Sequence, residues 1–543
     1  DYSLFPKADI ILVTHEHFDH LDPAAIAQLS HSGTKVIANK TSAAKIAGPA
    51  AILSWIIGAV IIIAIALTYV ELGTMFPESG GMSKYAQYSH GPMLGFIAAW
   101  ANWISLVTLV PMEAVAAVQY MSSWPWKWAN WTHHFMQDGN ITTPGLLLVF
   151  VFMIIFTLIN FWSIRIMTHF TNLISVFKVL LPTITIIMLF ASSFHPTNFG
   201  HDVKTFMPYG SRAIFEAASG AGIIMSYDAF QTVINIGGEL KNPRKNIIRG
   251  VLISMFATAA IYILLQVAFI GAVDPAMLAK NSWHGIDFAS PFADIAILLG
   301  INWLVILLYM DAFVSPFGTG VAFVATASRA LAAMTYTKHL PAWLGRLNRR
   351  YLVPRFAMIA DLILAMILVS VFRNWNLLAT VITCATLIAY LTGPVTTITL
   401  RKIAPDLDRP YKPTYMRWFA PLTFVLTSLA IYWTMWPTTI QVILVILVGI
   451  PIYFYYEVKY QKKDFKSQFK HAAWLLGYLV FISIMSYCGS DGFGGQNWIK
   501  YPWDFLLIAI VSLIFYKVAI DTGLEKVDPA AIKVNEKIKL KED

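Results

Sequence analysis

The sequence predicts an all-α polytopic membrane protein, and three observations predict it. Of 543 residues, 57% are apolar and only 13% charged, and the mean hydropathy is +0.62. A soluble chain carries about 25% charged residues, so this one has too few to cover a water-facing surface. Third, many of its 18 Trp fall near the ends of apolar runs, as at Trp124, Trp126, Trp128 and Trp131, where indole rings suit headgroup level.

A helix needs about 20 apolar residues to cross about 30 Å of hydrocarbon. Thirteen runs qualify, at roughly 47–70, 92–121, 144–164, 169–192, 212–236, 247–272, 293–328, 355–372, 376–400, 416–436, 438–456, 472–488 and 503–520. An open strand would leave amides unpaired in lipid, so these are helices.

Lys and Arg are distributed unevenly between alternate loops. The set 72–91, 163–168, 239–250, 326–355, 401–417 and 457–471 holds 22 of them; the set 122–142, 193–212, 273–291, 372–376, 436–439 and 488–504 holds 6. The rich set is cytoplasmic by the positive-inside rule, which also puts the tail 521–543 inside. The formal charge of +9 is therefore a topology signal, and no nucleic-acid partner is expected. The two cysteines, Cys384 and Cys488, have no metal-ligand spacing and read as ordinary buried thiols. With no Gly-x-x-x-x-Gly-Lys-Ser/Thr loop, ATP-driven pumping has no support, and no cofactor is expected.

Several ionisable groups fall inside the runs, where charge is costly and marks function by default. Lys178 sits in the middle of 169–192; Glu113, Glu216, Asp311 and Asp361 lie in four others. In the run 212–236, Gly220 and Gly222 weaken the helix ahead of Ser226-Tyr227-Asp228-Ala229-Phe230. The alternative is an unbroken helix whose small residues permit close packing.

From about Ala47 to about Pro413 the order of motifs resembles the amino acid–polyamine–organocation permease superfamily. The residues that carry the resemblance are Ala47-Gly48-Pro49-Ala50-Ala51-Ile52, Glu71-Leu72-Gly73, Phe76-Pro77-Glu78-Ser79-Gly80-Gly81 and Gly91-Pro92. Further on come Gly238-Glu239-Leu240-Lys241-Asn242-Pro243-Arg244, Ser328-Arg329-Ala330 and Leu340-Pro341. The extra spans after 400 look like a fourteen-helix branch of that family. The resemblance implies a leucine-transporter-type core of two inverted five-helix repeats over 47–400, accessory spans over 401–520 and a cytoplasmic tail over 521–543. It also implies that the family's first helix is missing here.

By the same resemblance, the run 212–236 is the family's sixth helix, broken at mid-depth. Freed backbone groups and the Ser226 hydroxyl would hold an amino acid there, with Tyr227 or Phe230 closing over it. Asp228 and Ala229 would belong to the same substrate-binding set, although Ala229 stands where the family has Gly, and Asp228 where it has an apolar residue. Glu113 and Asp311 would line the cavity, Lys178 would carry proton coupling, and Glu71, Glu239 and Arg329 would form a cytoplasmic gate motif. The expected protein is a secondary active carrier of amino acids in the plasma membrane, using protons or exchange and alternating access, and not an enzyme.

Residues 1–46 carry Thr14-His15-Glu16-His17-Phe18-Asp19-His20 after the apolar run Ile10–Val13. This resembles the metallo-β-lactamase superfamily, whose His15, His17, Asp19 and His20 equivalents would grip metal. A non-functional fused or mis-joined fragment is the expectation for this stretch. A membrane-tethered metal-dependent hydrolase, and a transport-inactive chimera or amino acid receptor, are the alternatives.

Overall fold

A computed structural model describes residues 10–12, 35–37, 43–78, 81–137, 139–162, 164–228, 230–235, 237–286, 288, 290–336, 340–351, 353–461, 465–529 and 532–533. Strand content among them is small. β1 (Ile10–Leu12) pairs in parallel with β2 (Lys35–Ile37), and β3 (Met136–Gln137) pairs antiparallel with β4 (Asn140–Ile141). Everything else of regular structure is helical.

The first long helix, α1 (Ala51–Met75), follows a tight turn at Gly48–Ala50 whose Pro49 presets a helical φ. At 25 residues it is about 37 Å long, enough to cross a bilayer. A short helix, α2 (Met82–His90), stops at Gly91 (φ +83), and Pro92 starts α3 (Pro92–Ser122). α3 is buried along its length and forms the axis of the bundle. α4 (Thr143–Trp162) and α5 (Ile164–Ser192) follow.

The run 212–236 is three pieces: α6 (Gly210–Gly220), α7 (Ile223–Ser226) and α8 (Phe230–Asn235). Then come α9 (Pro243–Ala272), α10 (Pro291–Leu298) and α11 (Asn302–Tyr336). The sequence places one span at 293–328, whereas the chain turns at Gly300 (φ +71) and the spanning helix begins at Asn302. α12 (Arg355–Val371) precedes α13 (Trp375–Tyr390) and α14 (Thr392–Ile403), which together cover the run 376–400. Pro394 has no N–H to return to the Tyr390 carbonyl, a one-bond interruption at Leu391 in a backbone that stays helical (φ −53°, ψ −28°).

After α14 come α15 (Met416–Tyr432), α16 (Thr438–Leu447) with α17 (Gly449–Tyr456), α18 (Phe465–Cys488) and α19 (Trp503–Asp521). Among the described residues nine helices are long and apolar enough to cross a membrane, with two shorter apolar ones, Val176–Ser192 and Met416–Tyr432.

α11 and α13 pack along α3, α9 packs on α1, and α5 lies against α9 and α11. The burial pattern is inverted relative to a soluble protein. Leu147, Val151, Ile154 and Leu158 make an exposed apolar stripe on α4, and Phe356, Ile359, Ile363 and Ile367 make another on α12. Spacings of three and four put each set on one helix face, the pattern that hydrocarbon solvent selects. Polar side chains such as Glu71, Asn102, Thr108 and Thr383 are buried inside.

Ion pairs and hydrogen bonds tie the helices after α14 to the earlier ones. Arg212, at the start of α6, bonds Asp491 in the α18–α19 connection at 2.7 Å and Glu216 one turn on at 3.1 Å. At the other end, Leu524 N–H donates to the Ser89 carbonyl at 2.8 Å, and the His90 Nε2 meets the Ala519 carbonyl at 2.9 Å.

Candidate functional site

The interruption between α6 and α8 follows from Gly222. Its φ of +72° is left-handed, a conformation that glycine alone adopts without steric cost. A Cβ there would also lie 3.0 Å from the Trp375 ring. Four-residue pairing gives way to three-residue turns: Gly222 N–H to the Ser219 carbonyl (3.0 Å), Tyr227 N–H to Ile224 (3.2 Å) and Asp228 N–H to Met225 (3.0 Å). The helix therefore breaks at the glycines, as the sequence suggests, and loosens again just beyond Ser226.

The side chains of this segment point in different directions. The Ser226 hydroxyl donates back to the Gly222 carbonyl at 2.9 Å. Tyr227 is buried; its hydroxyl donates to the Trp55 carbonyl at 3.2 Å and its ring meets Trp55 edge-on and Tyr262. Phe230 is buried between Tyr69 and Tyr390, with ring centroids 6.4 and 5.3 Å away. Asp228 turns into the protein, where one carboxyl oxygen accepts a hydrogen bond from the Tyr390 hydroxyl. Ala229 lies outside the described residues.

Tyr390 ends α13 at the Pro394-induced interruption. The Tyr69 hydroxyl of α1 lies 3.3 Å from both the Ala389 carbonyl and the Thr392 hydroxyl. The broken segment is thus brought against the proline-disrupted turn of α13, the first supplying the carboxyl and the second the phenol.

A second cluster forms where α3, α5 and α11 meet. The Lys178 ammonium donates to the Thr319 hydroxyl, which donates to the Ser315 carbonyl at 2.8 Å. It also attracts both the Glu113 and Asp311 carboxylates, and Tyr120 feels both acids. All three charged side chains are half-buried. Pro111 lies two residues before Glu113, and Pro316 three before Thr319, so both helices carry a missing N–H near the charges. Asp361, elsewhere, is buried in α12 and accepts from the Trp103 indole at 2.9 Å.

Glu71 lies near the end of α1, fully buried. Arg401 grips it through two bonds of 2.7 and 2.5 Å, and the Arg409 Nε stands 3.8 Å from its Oε1. Arg409 also donates to the carbonyls of Leu400, Ala404, Pro405 and Leu407, closing the end of α14. These two arginines are absent from the sequence-derived gate set of Glu71, Glu239 and Arg329. Arg329 is exposed on α11, and the Glu239 side chain lies outside the described residues. Among the described residues no group of three or more His, Cys, Asp or Glu could hold a metal. His15, His17, Asp19 and His20 lie outside them.

Inverted burial, a broken helix and charges held at mid-span define a polytopic membrane transporter. The chain belongs to the amino acid permease family, whose profile matches residues 24–481. It is 49% identical to the glutamate/serine transporter AimA of Bacillus subtilis over 89% of each chain. It is 34% identical to the aspartate-proton symporter of the same organism, covering 88% of this chain and 91% of that one. The branched-chain amino acid permease BcaP, also from Bacillus subtilis, is 24% identical over 79% of this chain and 90% of its own. The family and these relatives are carriers, not enzymes, and they lend no support to the hydrolase resemblance of residues 1–46.

Proposed function

We propose that this protein is a secondary active transporter that carries acidic amino acids and serine across the plasma membrane together with protons, by alternating access. The basic loops and the C-terminus face the cytoplasm. Backbone groups around Gly220–Tyr227 and the Ser226 hydroxyl hold the substrate's carboxylate and amine, and Glu113 and Asp311 line the path.

The observation that carries this reading is Lys178, a cation inside an apolar helix with two acids from neighbouring helices acting on it. A charged amine inside an apolar run is costly and marks function by default, and the family resemblance gives this position to proton coupling. The names of the relatives, one a proton symporter of aspartate and one a carrier of glutamate and serine, support the substrate class and the coupling ion.

Purified protein in proteoliposomes tests it. An inward proton gradient is expected to drive glutamate, aspartate or serine above equilibrium, a protonophore to collapse the accumulation, and Lys178→Met to abolish it. Uptake indifferent to the protonophore, or substrate binding without flux, would overturn the proposal.

A further inference from the structure

The Asp228 carboxyl is the one acid of the transmembrane bundle placed at the helix break itself, and the transport reading leaves it without a task. It is buried, with one oxygen accepting from Tyr390 and the other making no hydrogen bond. The Thr386 hydroxyl also acts on this carboxyl and lies 2.5 Å from the Ser105 hydroxyl. A buried carboxylate oxygen without a donor is costly, and a proton placed on it removes both the charge and the vacancy.

The surroundings isolate this group from the charges of the other cluster. α13 presents Tyr390 and Thr386. From α1, Tyr69 packs on the Tyr390 ring at 5.7 Å, and Tyr85 of α2 lies behind it at 6.4 Å. From α9, Tyr262 faces Tyr227. Of the charged groups on these elements, Glu71 is held by Arg401, Lys84 by Glu78 and Arg244 by Asp408, while Lys245 and Arg249 are exposed at the start of α9. Lys178 acts on Glu113 and Asp311, and among the described residues no cation acts on Asp228.

Resting on the proton-coupled reading above, we infer that Asp228 is a positioning residue that takes up a proton in the transport cycle. Its ionisation state sets how firmly the α7–α8 junction is clasped to the end of α13. The ionised carboxylate receives a charge-assisted bond from Tyr390, roughly twice as strong as its neutral counterpart. Protonation forms one O–H bond on the second oxygen and cancels the charge. The new O–H donates to Thr386 Oγ1, whose own hydroxyl keeps its proton and donates a hydrogen bond to Ser105 Oγ. The Tyr390 bond weakens to a neutral one, and α8 is freed to shift against α13. Loss of the proton reverses each change, and no co-reactant is needed.

The test is equilibrium amino acid exchange in proteoliposomes at matched internal and external pH, across a pH series. Wild type is expected to show a pH-dependent rate. Asp228→Asn, scaled to its own maximum, is expected to lose that dependence, and Tyr390→Phe to displace it along the pH axis. Infrared difference spectra between acid and alkaline samples should contain a carboxylic C=O band that Asp228→Asn removes. If Asp228→Asn kept the wild-type profile, or the full band, the inference would be wrong. Should Asp228→Asn fail to fold, Tyr390→Phe decides alone: an unshifted profile and an unmoved band overturn the inference. Wild-type protein that shows no proton-driven accumulation would sink the transport reading separately, while the infrared band still decides the state of Asp228.

Discussion

The Glu71 carboxylate and the Arg401 guanidinium, 330 positions apart, form a two-point pair with bonds of 2.7 and 2.5 Å. It joins the end of α1 to the end of α14, with Arg409 closing the other side of the carboxylate. Removing one partner of a buried pair leaves an uncompensated charge, at about 3–5 kcal/mol. Arg401→Met should therefore lower the unfolding temperature of detergent-purified protein sharply. Arg401→Lys keeps the charge but loses the second bond and should fall between. Equal stability of Arg401→Met and wild type would show that Arg409 alone satisfies Glu71.

Gly222 and Gly220 make contrasting predictions two residues apart. At Gly222 a side chain must adopt φ +72°, about 1–2 kcal/mol unfavourable, and must also displace Trp375. At Gly220 an added Cβ meets only the Met435 methyl at 3.9 Å, ordinary contact. Gly222→Ala should cut uptake at least tenfold, whereas Gly220→Ala should retain most of it. Comparable uptake by the two variants would mean that the left-handed turn is dispensable.

Asp361 tests a buried acid that lies away from the proposed path. It is the acceptor for the Trp103 indole N–H, and its second oxygen makes no hydrogen bond. Asp361→Asn keeps an acceptor and should leave stability within about 1 kcal/mol of wild type. Asp361→Leu orphans the indole and should cost about 1–3 kcal/mol, read by thermal unfolding with proton-driven uptake per folded molecule unchanged. A selective loss of coupling in Asp361→Asn would instead place Asp361 on the proton path.

His90 predicts a pH dependence of stability. It is fully buried at the end of α2, between Ser89 and the Ala519 carbonyl, and burial pushes its pKa down from 6.5 to about 4. Between those values the unfolded chain binds a proton that the folded chain refuses. Stability should be flat above pH 6.5 and decline as pH falls towards 4, with His90→Gln removing that part of the slope. A thermal-unfolding series against pH measures it; an identical slope in the variant would assign the acid sensitivity to other groups.

The sequence announces those parts of the site whose signal is local. Gly222 marks the break because glycine alone is at ease with a left-handed φ, and Gly220 draws attention to it as a second weak helix former two residues before. Lys178, Glu113 and Asp311 stand out because charge is rare in an apolar run. The partners are another matter. Arg401 and Arg409 sit in a basic loop, where Lys and Arg serve topology, and nothing local separates the two that reach inward. Tyr390, 162 positions from Asp228, looks like any aromatic inside an apolar span. The break between α10 and α11 is hidden for a related reason. Only Gly300 interrupts a run whose residues stay apolar on both sides, so hydropathy passes through a turn that the backbone makes.

The bonds from Ser89 and His90 to residues 519–524 have a consequence for biogenesis. α2 emerges from the ribosome long before α19, and the His90 imidazole meets its acceptor 429 positions later in the chain. Until α19 has been inserted, the Ser89 carbonyl and that ring must be hydrated or held by other groups. Completion of this end of the bundle is thus set by the arrival of α19 rather than by the helices made before it.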